Sequence, residues 1–309
     1  MSSGILGLRD GCPPRCLAPS GLWLAWDACP CVSIELNCAQ RNLTGNEPAL
    51  SDILLALANA EVSILILNHC NDLVVPTAIL QFPSLLGIHI YNSQLKDWSA
   101  DAGVTAHYFT RLGYVLFVRT NLTQVPKALL SDLPSTLVDI EFVASATAIA
   151  FPQDVATRWT QLTTLYIEHC NLTELPSEIL QMPNLDQLSL AGNHITELPS
   201  DLFSTPASRS IRYLLLNGNP LSQLPQHLED AVKLKELYLD GTNVPVVPQT
   251  TTELHISAED SSLCHGSAHH DTRVRCEGLH AGIYVSGAYP LDPRERSRRK
   301  ANLLSTLIA

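Results

Sequence analysis

The sequence predicts an α/β solenoid, with a parallel β-sheet along one flank and short helical turns along the other. The first ground is a pair of phrases, "LYIEHCNLTELP" (Leu165 to Pro176) and "LSLAGNHITELP" (Leu188 to Pro199). They keep one apolar skeleton 23 positions apart while sharing few polar residues. The second is the recurrence of that skeleton. With the first leucine of each phrase as position zero, L-x-L, a small residue at +5, aliphatics near +7 and +10 and often proline at +11 recur. They start from Ile34, Leu65, Ile88, Val115, Ile140, Leu165, Leu188, Leu214 and Leu237. After a first step of 31 residues the spacings are 23 to 27, and a period of this length marks a solenoid.

The L-x-L alternation is a short strand with one face buried. Side chains at +1 and +3 are then expected on the opposite, solvent face. Position +5 reads Ala39, Cys70, Ser93, Thr120, Ser145, Cys170, Asn193, Asn219 and Thr242. Apart from the alanine, these are small groups with a polar atom, suited to satisfying buried backbone groups where the chain turns. Cys70 and Cys170 stand 100 residues apart in "HCN" phrases, and are expected as buried structural thiols. Proline fills +11 six times, at Pro76, Pro126, Pro176, Pro199, Pro225 and Pro248. It is expected at the first position of a helical turn, where its missing N–H has no partner anyway. The next aliphatic, such as Ile79, Leu129, Ile179, Leu202 or Leu228, follows three residues later and is expected to face inward.

One unit cannot bury its own apolar face, so neighbours stack in series, and the wider helical flank makes the stack curve. Only the solvent-facing strand positions are free to vary, so recognition residues are expected there: Tyr91, Tyr114, Leu116, Glu141, Tyr166, Glu168, Tyr213, Leu215, Tyr238 and Asp240. Aromatic anchors carry much of the energy of an interface. Arg119 is the only Lys or Arg on the strand segments from −1 to +4, which favours a basic or amide-rich protein or peptide partner. Glu141, Glu168, His89 and His169 lie on separate repeats of an open face. Without a nucleophile and its base, a glycine-rich phosphate loop, H-E-x-x-H or G-x-S-x-G, no catalytic residue is expected. No cofactor is expected either. Cys29-x-Cys31 is too tight for a zinc pair, and His265, His269 and His270 are read as loop residues rather than ligands.

The full spacing, L-x-x-L-x-L-x-x-N/C-x-L-x-x-L-P, resembles the leucine-rich repeat family over roughly Ile34 to Pro248. The resemblance implies a right-handed horseshoe, with the parallel sheet on the concave face and short helical turns on the convex face. It is similar to the family's typical class of about 23 residues. The implied segments are an N-terminal Cys-rich cap at 1–33, about nine repeats at 34–250, a C-terminal cap at 251–285 and a basic tail at 286–309. Residues 12–38 resemble the cysteine-bearing caps of extracellular members, with Trp23 and Trp26 as core cover. Cys264 and Cys276 fall where a C-terminal cap belongs, and a disulfide between them is implied. The pairing of Cys12, Cys16, Cys29, Cys31 and Cys38 stays open; five is odd, so one would be unpaired or bonded outside the chain.

A formal net charge of −11 argues against a nucleic-acid partner. No stretch reaches the roughly 18 apolar residues of a membrane span, and "PRERSRRK" (Pro293 to Lys300) reads as a solvated tail. Cysteine-rich ends around a cysteine-poor middle imply an oxidising compartment. The N-terminus "MSSGILGLRDGCPP" is a poor secretory signal, so the chain is expected either as a fragment without its leader or in the cytoplasm. N-x-T sequons at Asn42, Asn121 and Asn171 favour secretion as glycosylation sites. The expected function is non-enzymatic recognition on the concave sheet of an extracellular or receptor-like module. The resemblance leaves open an intracellular signalling scaffold around small GTPases or kinases, and a secreted inhibitor of hydrolases.

Overall fold

The nine expected strand starts stand in one row. In the computed structural model Ile34 lies opposite Leu65, Leu65 opposite Ile88, and so on without a slip to Leu214 opposite Leu237. The structure describes residues 16–19, 31–46, 48–57, 62–248, 253–265 and 271–276. Its strands are β1 (Cys16–Pro19), β2 (Cys31–Asn37), β3 (Ile64–Asn68), β4 (Leu73–Val74), β5 (Gly87–Tyr91), β6 (Leu95–Asp97) and β7 (Tyr114–Val118). There follow β8 (Asp139–Val143), β9 (Thr164–Glu168), β10 (Gln187–Ser189), β11 (Tyr213–Leu215), β12 (Glu236–Tyr238), β13 (His255–Ser257) and β14 (Val274–Arg275). Twelve of them form one sheet in chain order, and β4 pairs with β6 separately. All neighbours in the large sheet are parallel except β1, which runs antiparallel to β2 at the N-terminal edge. The sheet continues through β13 and β14 into the segment expected as a C-terminal cap.

The core is built from the zero and +2 positions. From Ile34 and Leu36 to Leu237 and Leu239, no side chain in these two columns is more than 2% exposed. Each such aliphatic contributes about 1.5–3 kcal/mol by leaving water. Phe117 and Phe142, on adjacent rungs at +2, stack with ring centroids 5.1 Å apart. Trp98 and Trp159 fill the wider flank, donating their indole N–H groups to Ala102 O at 2.8 Å and Leu129 O at 2.7 Å. The long first step holds α1 (Pro48–Leu57), which buries Leu50 and Leu54.

The convex turns differ in one detail from expectation. Pro76, Pro126 and Pro176 precede their 3-10 turns as extended N-cap residues rather than occupying the first helical position. The reason is the acceptor: their carbonyls take the first i+3 bond, from Ile79 N, Leu129 N and Ile179 N, at 3.0–3.3 Å. Pro199 accepts likewise from Leu202 N at 3.1 Å. The bond pulls each of these aliphatics inward.

At +4 the backbone is left-handed in eight successive units: His69, Asn92, Arg119, Ala144, His169, Gly192, Gly218 and Gly241, with φ between 45° and 69°. This reversal turns +5 back toward the core. Only the last three units use glycine, the residue that adopts this conformation at no steric cost. A second glycine matters for space. A Cβ at Gly87 would fall within the Tyr114 ring, which is buried. Gly87→Ala is therefore expected to lower the unfolding free energy by about 2 kcal/mol through overpacking, read from a urea denaturation midpoint.

The +5 ladder does its backbone work most fully at the asparagines. Asn193 Oδ1 accepts from Cys170 N (2.9 Å) and Leu172 N (3.1 Å), while its Nδ2 donates to Ile167 O and Leu190 O (2.7 Å each). Asn219 repeats the pattern with Ile195 N, Leu190 O and Leu216 O. Ser93 Oγ accepts from Cys70 N at 3.0 Å, Thr120 donates to Ile90 O at 2.9 Å, and Thr242 donates to Leu239 O at 2.7 Å. Ser145 is buried, and its Oγ makes no hydrogen bond among the described residues.

Cys70 requires a correction. It is not an isolated thiol: it is bonded to Cys38, with Cα atoms 5.0 Å apart. Register explains the pair. Asn37 stands opposite Asn68, so +4 of the first unit falls beside +5 of the second. The odd cysteine of the N-terminal group is thereby used. Cys264, in α2 (Ser262–His265), is bonded to Cys276. Cys12 and Cys29, Trp23 and Trp26, His269 and His270, and the basic tail lie outside the described residues, as do the side chains of Cys16 and Cys31.

Candidate recognition surface

The +1 and +3 side chains share one face of the sheet, opposite the core, but only part of that face is open. From β3 to β9 the expected exposure fails: Tyr91, Tyr114, Leu116, Glu141, Tyr166 and Glu168 are all 2% exposed or less. Alternation assigns a side chain to a face and says nothing of what packs there. Rungs are about 4.8 Å apart, so bulky neighbours pack sideways. Ile64, Ile66, Tyr91, Tyr114, Leu116, Val118 and Val143 form an apolar cluster distinct from the main core. The His89 ring lies between Tyr91 and Tyr114, at centroid distances of 5.8 and 5.4 Å. Burial, with Asp139 nearby, holds the Tyr114 phenol far above its ordinary range.

At β10 the +1 and +3 side chains, Ser189 and Ala191, are still buried, and the face opens over β11 and β12. Strand pairing shortens from five residues to three, and Gln187, Tyr213, Glu236, Tyr238 and Asp240 are half-buried, with Leu215 almost covered. Tyr166 donates its hydroxyl to Gln187 Oε1 at 2.8 Å, and Tyr238 donates to Glu236 Oε2. Burial, and after it the Glu236 carboxylate, raises the Tyr238 phenol. The Arg212 guanidinium lies 5.6 Å from the Tyr213 ring centroid while its Nη2 donates to Asp186 Oδ2 at 2.7 Å. Asp240 is tied to the next strand: its Oδ1 accepts from Ser257 Oγ and Glu259 N, both at 2.7 Å.

A polar relay runs along the sheet's C-terminal rim. Arg119 Nε donates to Asn92 Oδ1 (2.5 Å), Asn92 Nδ2 to Asn68 Oδ1 (2.9 Å), and Asn68 Nδ2 to Glu35 Oε1 (2.6 Å). A donor-only group at one end and an acceptor-only group at the other fix both amide orientations. The sequence signal was there: +3 and +4 of neighbouring units carry Asn68 and Asn92 between an acid and a base.

The Cys170 thiol is buried, donates to Glu168 O at 3.2 Å, and is pushed up to about 12 by burial. No group of three or more His, Cys, Asp or Glu that could hold a metal is present among the described residues, and no described helix is long and apolar enough to cross a membrane. Asn42, Asn121 and Asn171 are all exposed.

The model of the family described as "Leucine rich repeat" matches residues 160–221 and 183–244. The volume-regulated anion channel subunit LRRC8E of Xenopus tropicalis is 22% identical over 174 residues, covering 56% of this chain and 21% of its own length. Chaoptin of Drosophila melanogaster is 37% identical over 76 residues, 24% of this chain and 6% of its own length. The chain thus spans about a fifth of the first relative and far less of the second. A solved structure of the Toll–Spatzle complex of Drosophila, in its glycosylated form, shares the fold. Its TM-score is 0.53 at 16% identity, over 74% of this chain and 33% of that one.

Proposed function

This chain is a leucine-rich repeat protein, and on that premise we propose that it is a non-enzymatic recognition module of the cell exterior. It holds a protein or peptide partner on the open part of its ribbon, centred on Tyr213, Leu215, Glu236, Tyr238 and Asp240. The family and fold are those of protein-interaction modules. One observation carries the placement: from β3 through β10 every +1 and +3 side chain is buried, and at β11 and β12 two half-buried tyrosines stand beside carboxylates. Half-buried tyrosines are effective anchors because they bring large contact area at little cost in conformational freedom. Glu236 and Asp240 favour a partner that presents Lys, Arg or amide groups. The two disulfides among the described residues support an oxidising compartment. Likeness to chaoptin and to a Toll chain solved with Spatzle supports the exterior reading.

Two measurements test it. Tyr213→Ala with Tyr238→Ala is expected to weaken capture of the partner by at least about tenfold, as loss of anchor residues does. Val232→Ala, at an exposed position off the ribbon, is expected to leave it unchanged. Equal loss in both variants would move the site elsewhere. With Cys38 bonded to Cys70, the remaining Cys12, Cys16, Cys29 and Cys31 are an even set. Thiol titration of the denatured, unreduced protein from its natural source is expected to find one thiol, Cys170. Nine would instead fit the cytoplasmic scaffold.

A further inference from the structure

The recognition reading leaves the sequons unused, and the fold places two of them together. Because the strands of β2 to β14 run parallel, everything that follows their C-terminal ends lies along one flank. Asn121 and Asn171 stand there at the same position, +6, in the units that begin at Val115 and Leu165. Leu122 and Leu172 turn into the core, while Asn121, Thr123, Asn171 and Thr173 on either side are exposed. The unit between ties the two sites: Thr147 Oγ1 donates to Asn121 Oδ1 at 3.4 Å, and Asn171 Nδ2 donates to Ala146 O at 2.9 Å. Two rungs separate them, or about 10 Å. An N-glycan is bulky and solvated, so two at this distance would make a single wall. The opposite flank, at the strand N-terminal ends, has no sequon, and carries the Asp186–Arg212 pair and exposed Lys235.

We propose that Asn121 and Asn171 carry N-linked glycans that close the flank at the strand C-terminal ends, so that a partner reaches Tyr213 and Tyr238 from the other flank. The proposal rests on the exterior reading above. In the transfer, Nδ2 of asparagine bonds to the anomeric carbon of a lipid-pyrophosphate-linked oligosaccharide. The bond from that carbon to the pyrophosphate oxygen breaks, the amide gives up one proton, and the lipid pyrophosphate leaves. The remaining N–H of Asn171 keeps its donor role toward Ala146 O.

The test uses the full chain secreted from insect cells behind a heterologous leader. Peptide N-glycosidase is expected to increase its mobility, with Asn121→Gln and Asn171→Gln each removing one step. Secretion with a single free thiol reports that each variant folds. For the wall, exposed Glu174 on the glycan flank and Lys235 on the other are replaced in turn by cysteine and treated with a polymer-bearing maleimide. The E174C protein is expected to label several-fold more slowly than K235C, and at a matching rate after deglycosylation. A folded, secreted chain with no step at either asparagine overturns the proposal, and so does E174C labelling that deglycosylation leaves unchanged. Nine free thiols in the natural protein would overturn the exterior reading, a result that the mobility and labelling experiments cannot mimic.

Discussion

Replacing Asn193 with alanine is expected to lower the unfolding free energy by about 4 kcal/mol, the largest loss for any single side chain of the ladder. Its amide closes four backbone groups at once, two N–H donors (Cys170, Leu172) and two carbonyls (Ile167, Leu190). Alanine would take this partner from the Cys170 and Leu172 N–H groups and the Ile167 carbonyl, while Leu190 O would keep Asn219 Nδ2; each buried group left unpaired costs about 1–3 kcal/mol before the surroundings relax. Asn193→Asp separates the two halves of this role. A carboxylate still accepts from Cys170 N and Leu172 N but faces the Ile167 and Leu190 carbonyls with no proton to offer. It is expected to be at least as damaging at neutral pH. Urea unfolding followed by circular dichroism measures both. A loss below about 1 kcal/mol for alanine, the net worth of one ordinary hydrogen bond, would mean that the ladder is filled by other groups.

The second large effect is expected from the N-terminal staple. Cys38→Ser with Cys70→Ser opens a loop with a sequence separation of 32. In the chain-entropy treatment a loop of this size is worth about 3–4 kcal/mol. Because each unit touches only its neighbours, the loss is expected to be local. Amide exchange should rise first in β2 and β3 and leave β11 and β12 unchanged. Uniform acceleration along the whole sheet would show instead that the array unfolds as one block.

Much of the fold was legible because a repeat states its register many times over. The zero and +2 columns, the parallel pairing and the inward aliphatic after each proline all follow from positions that recur in most units. What escaped involves residues read one unit at a time. The Cys38–Cys70 bond joins +4 of one unit to +5 of the next, and shows only when two units are laid side by side. The left-handed +4 column was hidden because five of its eight members are not glycine. The +1 and +3 side chains share the face opposite the core, but exposure depends on how large neighbouring side chains pack across rungs. Tyr91, Tyr114 and Leu116 joined an apolar cluster that no period in the sequence distinguishes from an open surface. Tyr213 and Tyr238 have the same periodicity and a different fate.

Pairing over five residues from β3 to β9 and over three from β10 to β13 also grades the sheet mechanically. Fewer cross-strand bonds per rung lower the cost of local opening, so thermal fraying should start beyond β9. The region that stays pliant is the one whose tyrosines remain reachable, and a visitor settling there would stiffen the last rungs by its own contacts.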